Sequence, residues 1–88
     1  MKVIYLKSLF KDLKKIKNQK LKDVLKDVFI ELEEKDSLLK ISNVKKMSGH
    51  KNAYRIRIGD YRLGIFNENE NITIARFLKR EDIYKLFP

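Results

Sequence analysis

The sequence predicts an α+β domain in which a two-helix antiparallel hairpin packs on one face of an antiparallel sheet, in the order β-α-α-β-β-β with a short C-terminal helix or tail. Apolar residues recur at three- and four-residue spacing through the first part of the chain, the mark of amphipathic helices. The period then drops to two, with apolar and basic side chains alternating in Tyr54-Arg55-Ile56-Arg57-Ile58 and again from Tyr61 to Ile65. The chain has 88 residues, 43% of them hydrophobic, and no Gly/Ser/Pro-rich linker, so residues 1–88 are one domain. At this length about 60 to 65% of the unfolded surface is buried, enough for one thin core.

Lys2 to Tyr5 reads as a short opening strand. Leu6, Leu9, Phe10, Leu13 and Ile16 then form the stripe of a first helix, which Asn18-Gln19 interrupts. Leu21, Val24, Leu25, Val28, Phe29 and Leu32 form the stripe of a second. Both stripes are expected to face the core, and so short a link packs the two helices antiparallel. After Asp36-Ser37 a loosely apolar stretch of Leu38, Leu39, Ile41, Val44 and Met47 leads to a turn at Ser48-Gly49-His50. Gly59-Asp60 between the alternating runs fits a type I′ or II′ hairpin. Ile72 to Leu78 is a third strand, entered through the polar Asn67-Glu68-Asn69-Glu70-Asn71, a loop that leaves the face of Arg76 open. With helices on one sheet face, the other is available for function.

The charge is unevenly made. Lys and Arg total 21 against 12 acids, a formal charge of +9, and all five arginines fall between positions 55 and 80. Lysines along helices solvate a face, whereas collected arginines suit bidentate recognition of phosphate or carboxylate. A two-residue loop at Gly59-Asp60 sets Arg57 across from Arg62 and Arg55 across from Gly64. Like charges so opposed cost up to about 1 kcal/mol, and an anion between them reverses that cost. Gly64, lacking a side chain, would let a backbone or a flat ligand approach. The alternative is that Arg55, Arg57 and Arg62 merely solvate an exposed face.

Several chemistries are excluded. Without cysteine there is no disulfide, thiolate metal site or cysteine nucleophile. His50 is the only histidine, which leaves no histidine metal site and no Ser-His-Asp constellation. Gly49, Gly59 and Gly64 match no phosphate-loop spacing, and no cofactor is expected. The first residues lack a signal-peptide core and no segment approaches a membrane span, so a cytoplasmic protein is expected. Tyr84 is placed either to stack on a base, to move a proton, or to pack. Ile30, Leu38, Leu39 and Phe87 are left over as apolar residues for a partner surface.

The hairpin Tyr54-Arg55-Ile56-Arg57-Ile58-Gly59-Asp60-Tyr61-Arg62-Leu63, the ending Arg76-Phe77-Leu78-Lys79-Arg80-Glu81-Asp82-Ile83-Tyr84, the preceding helices and the small basic size together resemble the RelE/ParE superfamily of toxins from bacterial toxin-antitoxin systems. The likeness covers nearly the whole chain and is closer to the RelE branch, whose members cut mRNA in the ribosomal A site without metal. ParE-like members poison DNA gyrase instead. The resemblance implies a toxin that is a metal-independent endoribonuclease, with mRNA, the ribosome and a cognate antitoxin as partners. The antitoxin would cover the basic face or displace the terminal segment.

By the same resemblance Arg57, Arg62, Arg80 and Tyr84 are catalytic and Arg55 and Arg57 bind RNA phosphate, with Lys51 and Lys79 expected to add to that basic phosphate-binding surface. In RelE the two basic positions of the first hairpin strand are lysines, whereas here they are Arg55 and Arg57. Arginine stays protonated, so the general base is open among Lys51, Lys79, Tyr84 and a ribosomal group. A gyrase inhibitor and an inactive binding relative are the alternatives. Arg62→Ala is expected to cost little stability.

Overall fold

The structure, a computed structural model, describes residues 1–88. Its elements are β1 (Lys2–Tyr5), α1 (Lys7–Leu13), α2 (Gln19–Glu34), a 3₁₀ turn (Leu38–Lys40), β2 (Val44–Lys46), β3 (Ala53–Ile58), β4 (Tyr61–Glu68), β5 (Asn71–Lys79) and α3 (Arg80–Leu86). The five strands form one sheet in the order β1-β5-β4-β3-β2. The α+β layout and its chain order agree with the sequence reading, with two refinements. β1 pairs parallel to β5, so the sheet is mixed. Val44–Lys46, within the loosely apolar stretch, is an added edge strand antiparallel to β3, and three residues are too few for a period of two to be visible.

Asn18, which breaks the apolar period, caps α2 by accepting from the Leu21 N–H at 3.2 Å. Along α2 the line buried deepest is Leu25 and Leu32, seven residues and two turns apart. The apolar stripes are wider than the strip they bury. Leu6, Phe10 and Val24, expected in the core, are 37%, 51% and 43% exposed, because a sheet this small cannot cover the full width of two helices.

The main core lies between helices and sheet, with Leu9, Ile16, Leu25 and Leu32 packed on Ile56, Leu63, Ile65, Ile72, Ile74 and Phe77. A second cluster on the opposite sheet face joins Met47, Ala53 and Ala75 to Ile83 and Phe87. This cluster pins α3 to the sheet, so the face expected to be free is half covered. Leu38 and Phe87, expected on a partner surface, are buried, whereas Ile30 and Leu39 are exposed. A Cβ at Gly64 would lie 2.8 Å from the Phe87 ring, so Gly64 admits Phe87 rather than a ligand.

Turn chemistry sets the register. Of Gly59 and Asp60 only Gly59 has positive φ, +59°, as a type II′ turn requires. Asn69 and Glu70, with φ of 49° and 68°, make a two-residue turn, both positive as in type I′, so β4 and β5 run further than the polar loop suggested. A register shift opposite Gly64 and Ile65 then leaves Ala75 as an extra residue in β5.

Where β1 ends, α1 takes over as partner of β5. Ser8 Oγ donates to the Ala75 carbonyl at 2.6 Å, and the Phe77 N–H donates to Asp12 Oδ2 at 2.9 Å. Four residues of helix rise about 6 Å and two residues of strand about 6.6 Å, so Ser8 and Asp12 meet alternate groups of β5. Arg76 completes the contact as a fork, donating from Nε at 2.8 Å and Nη2 at 3.1 Å to the Asp12 carboxylate. That fork keeps the Arg76 guanidinium protonated above its ordinary value, through its hydrogen bond to Asp12, partly opposed by burial.

Candidate functional site

The β3–β4 register pairs Arg57 with Arg62 and Arg55 with Gly64, as the hairpin length requires. Directly opposed residues share a sheet face, so these side chains emerge together on the side away from α1 and α2. β2 adds Lys45 to this face, opposite Arg55. α3 closes the far side with Arg80 and Tyr84, four residues apart and therefore on one helix face. Its start is tied to the hairpin by the Arg80 N–H, which donates to the Asp60 carbonyl at 2.9 Å.

Together these residues line a cleft of about 350 Å³, with Asn43 and Val44 on its β2 side. The lining holds five cationic side chains and no carboxylate. The protein's ion pairs are Asp36–Lys40 and Asp12–Arg76, so none of the cleft cations is neutralised. Five like charges around one concavity focus a positive potential that attracts a polyanion.

Two of the cations are held in place. Arg62 is only 9% exposed, and its Nη1 donates to the Gly59 carbonyl at 3.0 Å and the Tyr61 carbonyl at 2.9 Å. It is therefore anchored by the hairpin turn and does not merely solvate a surface. The Arg55 Cζ lies 5.3 Å from the centre of the Tyr84 ring, a cation–π contact. Tyr84 stays 51% exposed, leaving ring surface for a further stacking partner.

Of the sequence-nominated residues, Arg55, Arg57, Arg62, Arg80 and Tyr84 meet at the cleft. Lys51 and Lys79 do not. Lys51 lines a separate hollow formed by Lys46 to Lys51. Lys79 pairs with Tyr61 at the end of β5, and alternation turns it to the face opposite Leu78. Arg76, whose face was open, belongs to the Asp12 fork. Lys45 and Asn43 escaped the sequence reading, and the only signal for them was the short run Val44-Lys45-Lys46. The Asn43 carbonyl accepts from the Arg57 N–H at 3.1 Å, with φ of 64° at Asn43, so this turn sets where β2 begins. No cluster of three His, Cys, Asp or Glu side chains that could hold a metal is present. No helix is long and apolar enough to cross a membrane.

Comparison with known proteins finds relatives over nearly the whole chain. The family described as "ParE toxin of type II toxin-antitoxin system, parDE" matches residues 3–84. The chain is 39% identical over 90 residues to Toxin RelE3 of Methanocaldococcus jannaschii, covering 100% of both chains. Among solved structures it is similar to a chain of the RelB-RelE antitoxin-toxin complex from Methanococcus jannaschii, at 34% identity and a TM-score of 0.82, covering 97% of this chain and 99% of that one. The YoeB dimer from Staphylococcus aureus, at 19% identity, 0.70 and 90% and 94% coverage, shares the fold.

Proposed function

The chain belongs to the RelE/ParE superfamily of toxins of type II toxin-antitoxin systems, and from that membership we propose that it is a ribosome-dependent, metal-independent mRNA endonuclease neutralised by a cognate antitoxin. The observation that carries this reading is the cleft, with five unpaired cations around a concavity and an exposed tyrosine ring at its edge. Arg57 and Arg62, opposed across the hairpin, clamp the scissile phosphate, and Arg62, held by the turn carbonyls, stabilises the charge that develops on its oxygens. Arg55 and Arg80 hold flanking phosphate charge, and the Tyr84 ring stacks on a base. The lining offers no carboxylate, imidazole or thiolate to a metal, which favours metal-free cleavage with the 2′-hydroxyl as nucleophile. The cationic surface also fits an acidic antitoxin segment, so RNA and antitoxin compete for it.

The test is primer extension on a message in a purified translation reaction, with and without ribosomes, comparing wild type with Arg57→Ala. Arg57 is the exposed member of the opposed pair, so its removal spares the turn contacts of Arg62. New ends that require both ribosomes and Arg57 support the reading. A second reading, a gyrase poison, is favoured by the ParE description of the matching family. It predicts toxicity unchanged in Arg57→Ala and no new message ends.

A further inference from the structure

Cleavage by a 2′-hydroxyl requires a group that takes its proton, and the four arginines of the cleft cannot, because arginine stays protonated in proteins. The sheet brings one amine to the same place. Lys45 on β2 is registered opposite Arg55 on β3, so its side chain leaves the same sheet face, with the Cβ atoms of such a pair about 5 Å apart. It is the only lysine lining the cleft. It has no carboxylate partner, and its flexible four-carbon stem starts from an exposed position on an edge strand. The other group of the cleft that could carry the proton is the Tyr84 phenol, but that ring is engaged by Arg55 and serves as the stacking platform.

We infer that Lys45 is the general base of the cleavage, an assignment that rests on the nuclease reading above. The neutral Nζ takes the 2′-hydroxyl proton as the 2′-oxygen bonds to phosphorus. The bond from phosphorus to the 5′-oxygen breaks, its electron pair stays on that oxygen, and water supplies the proton that completes the 5′-hydroxyl. The hydroxide so formed takes the proton back from Lys45, leaving a 2′,3′-cyclic phosphate and no net proton change. Lys45 is thereby the lysine that the first hairpin strand lacks, supplied by its neighbour.

The test is single-turnover cleavage of ribosome-bound message as a function of pH. Lys45→Arg keeps the charge and loses the base, so it should bind the ribosome within about twofold of wild type yet cleave at least about 100-fold more slowly. The chain has no cysteine, so in Lys45→Cys the new thiol is the only site for 2-bromoethylamine. Alkylation rebuilds an amine with a more acidic ammonium, and cleavage should return with its rising limb moved to lower pH. Lys45→Arg cleaving at the wild-type rate, or an alkylated protein no faster than the thiol form, overturns the assignment while leaving the nuclease reading intact. So does Tyr84→Phe alone abolishing cleavage with Lys45→Arg active. A folded wild-type protein that makes no ribosome-dependent ends removes the nuclease reading and this inference together.

Discussion

Arg57 on β3 and Arg62 on β4 face each other across the hairpin, and neither has a carboxylate partner. Opposed like charges destabilise a sheet by up to about 1 kcal/mol, and an RNA phosphate between them converts that repulsion into attraction. Arg57→Ala should therefore unfold at slightly higher urea than wild type while binding RNA more weakly. The slope of log affinity against log salt should fall by about one unit, as for loss of one phosphate contact. Unchanged affinity with raised stability would leave the pair without a ligand role. Arg62→Ala does not serve equally well. Its side chain also holds two carbonyls of the turn, so the expectation from sequence that its loss is structurally cheap is replaced by a cost of about 1 to 2 kcal/mol for those contacts.

Packing beneath the cleft should govern its activity through Gly64. A methyl group there meets the Phe87 ring at 2.8 Å, and Phe87 follows α3, which carries Arg80 and Tyr84. Gly64→Ala should lose about 1 to 3 kcal/mol as the ring is forced away and should slow cleavage more than it weakens RNA binding. A crystal structure with α3 unmoved and activity intact would refute this coupling.

Which features were legible in the sequence follows from the range of the interaction behind each. The β3–β4 register, and with it the meeting of Arg55, Arg57 and Arg62, depends on a two-residue turn with glycine at its first position, which is local information. The lines of Leu25 and Leu32 follow from helical periodicity. Lys45 was not legible, because its strand is three residues long and owes its existence to β3. Nor was the structural role of Arg76, since its partner Asp12 lies 64 positions away and the register shift at Gly64/Ile65 decides where its guanidinium goes. Lys79 reads in the sequence as one more cation at the exit of the sheet, but strand alternation turns it away from the cleft.

Asp12 should be among the most stability-sensitive polar residues. It is 4% exposed and accepts three hydrogen bonds, two from Arg76 and one from the Phe77 N–H. Asp12→Ala leaves a buried N–H and a partly buried guanidinium without their acceptor, a loss of about 2 to 3 kcal/mol. Urea denaturation should register it, while cleavage per folded molecule stays near wild type because the fork lies outside the cleft. A stability change under about 0.5 kcal/mol, the range of ordinary surface substitutions, would contradict it.

The β4–β5 turn holds Glu70 at a φ of 68°, a left-handed conformation that costs a residue with a Cβ roughly 1 to 2 kcal/mol. Glycine adopts it without that cost, although it gives the unfolded chain more freedom. Glu70→Gly should therefore stabilise the protein by about 0.5 to 1 kcal/mol, seen as a raised thermal midpoint with activity unchanged. A lowered midpoint would show that the Glu70 side chain supports the turn in some other way.

Tyr5 should make stability fall in alkali. Burial against the helices, the hydrogen bond its hydroxyl donates to the Glu33 carboxylate, and the charge of Glu33 together push its phenol from 10.0 up to about 12. The folded protein thus keeps this proton at a pH where the unfolded chain has lost it, so unfolding releases a proton there and stability must drop as pH rises. The contribution is complete below pH 10 and is lost progressively between 10 and about 12. To isolate the phenol, the quantity to measure is the difference in unfolding free energy between wild type and Tyr5→Phe. That difference should be level from neutrality to pH 10 and then decline against wild type toward pH 12. A level difference throughout would mean that the phenol titrates alike in both states and that its contact with Glu33 does not persist in solution.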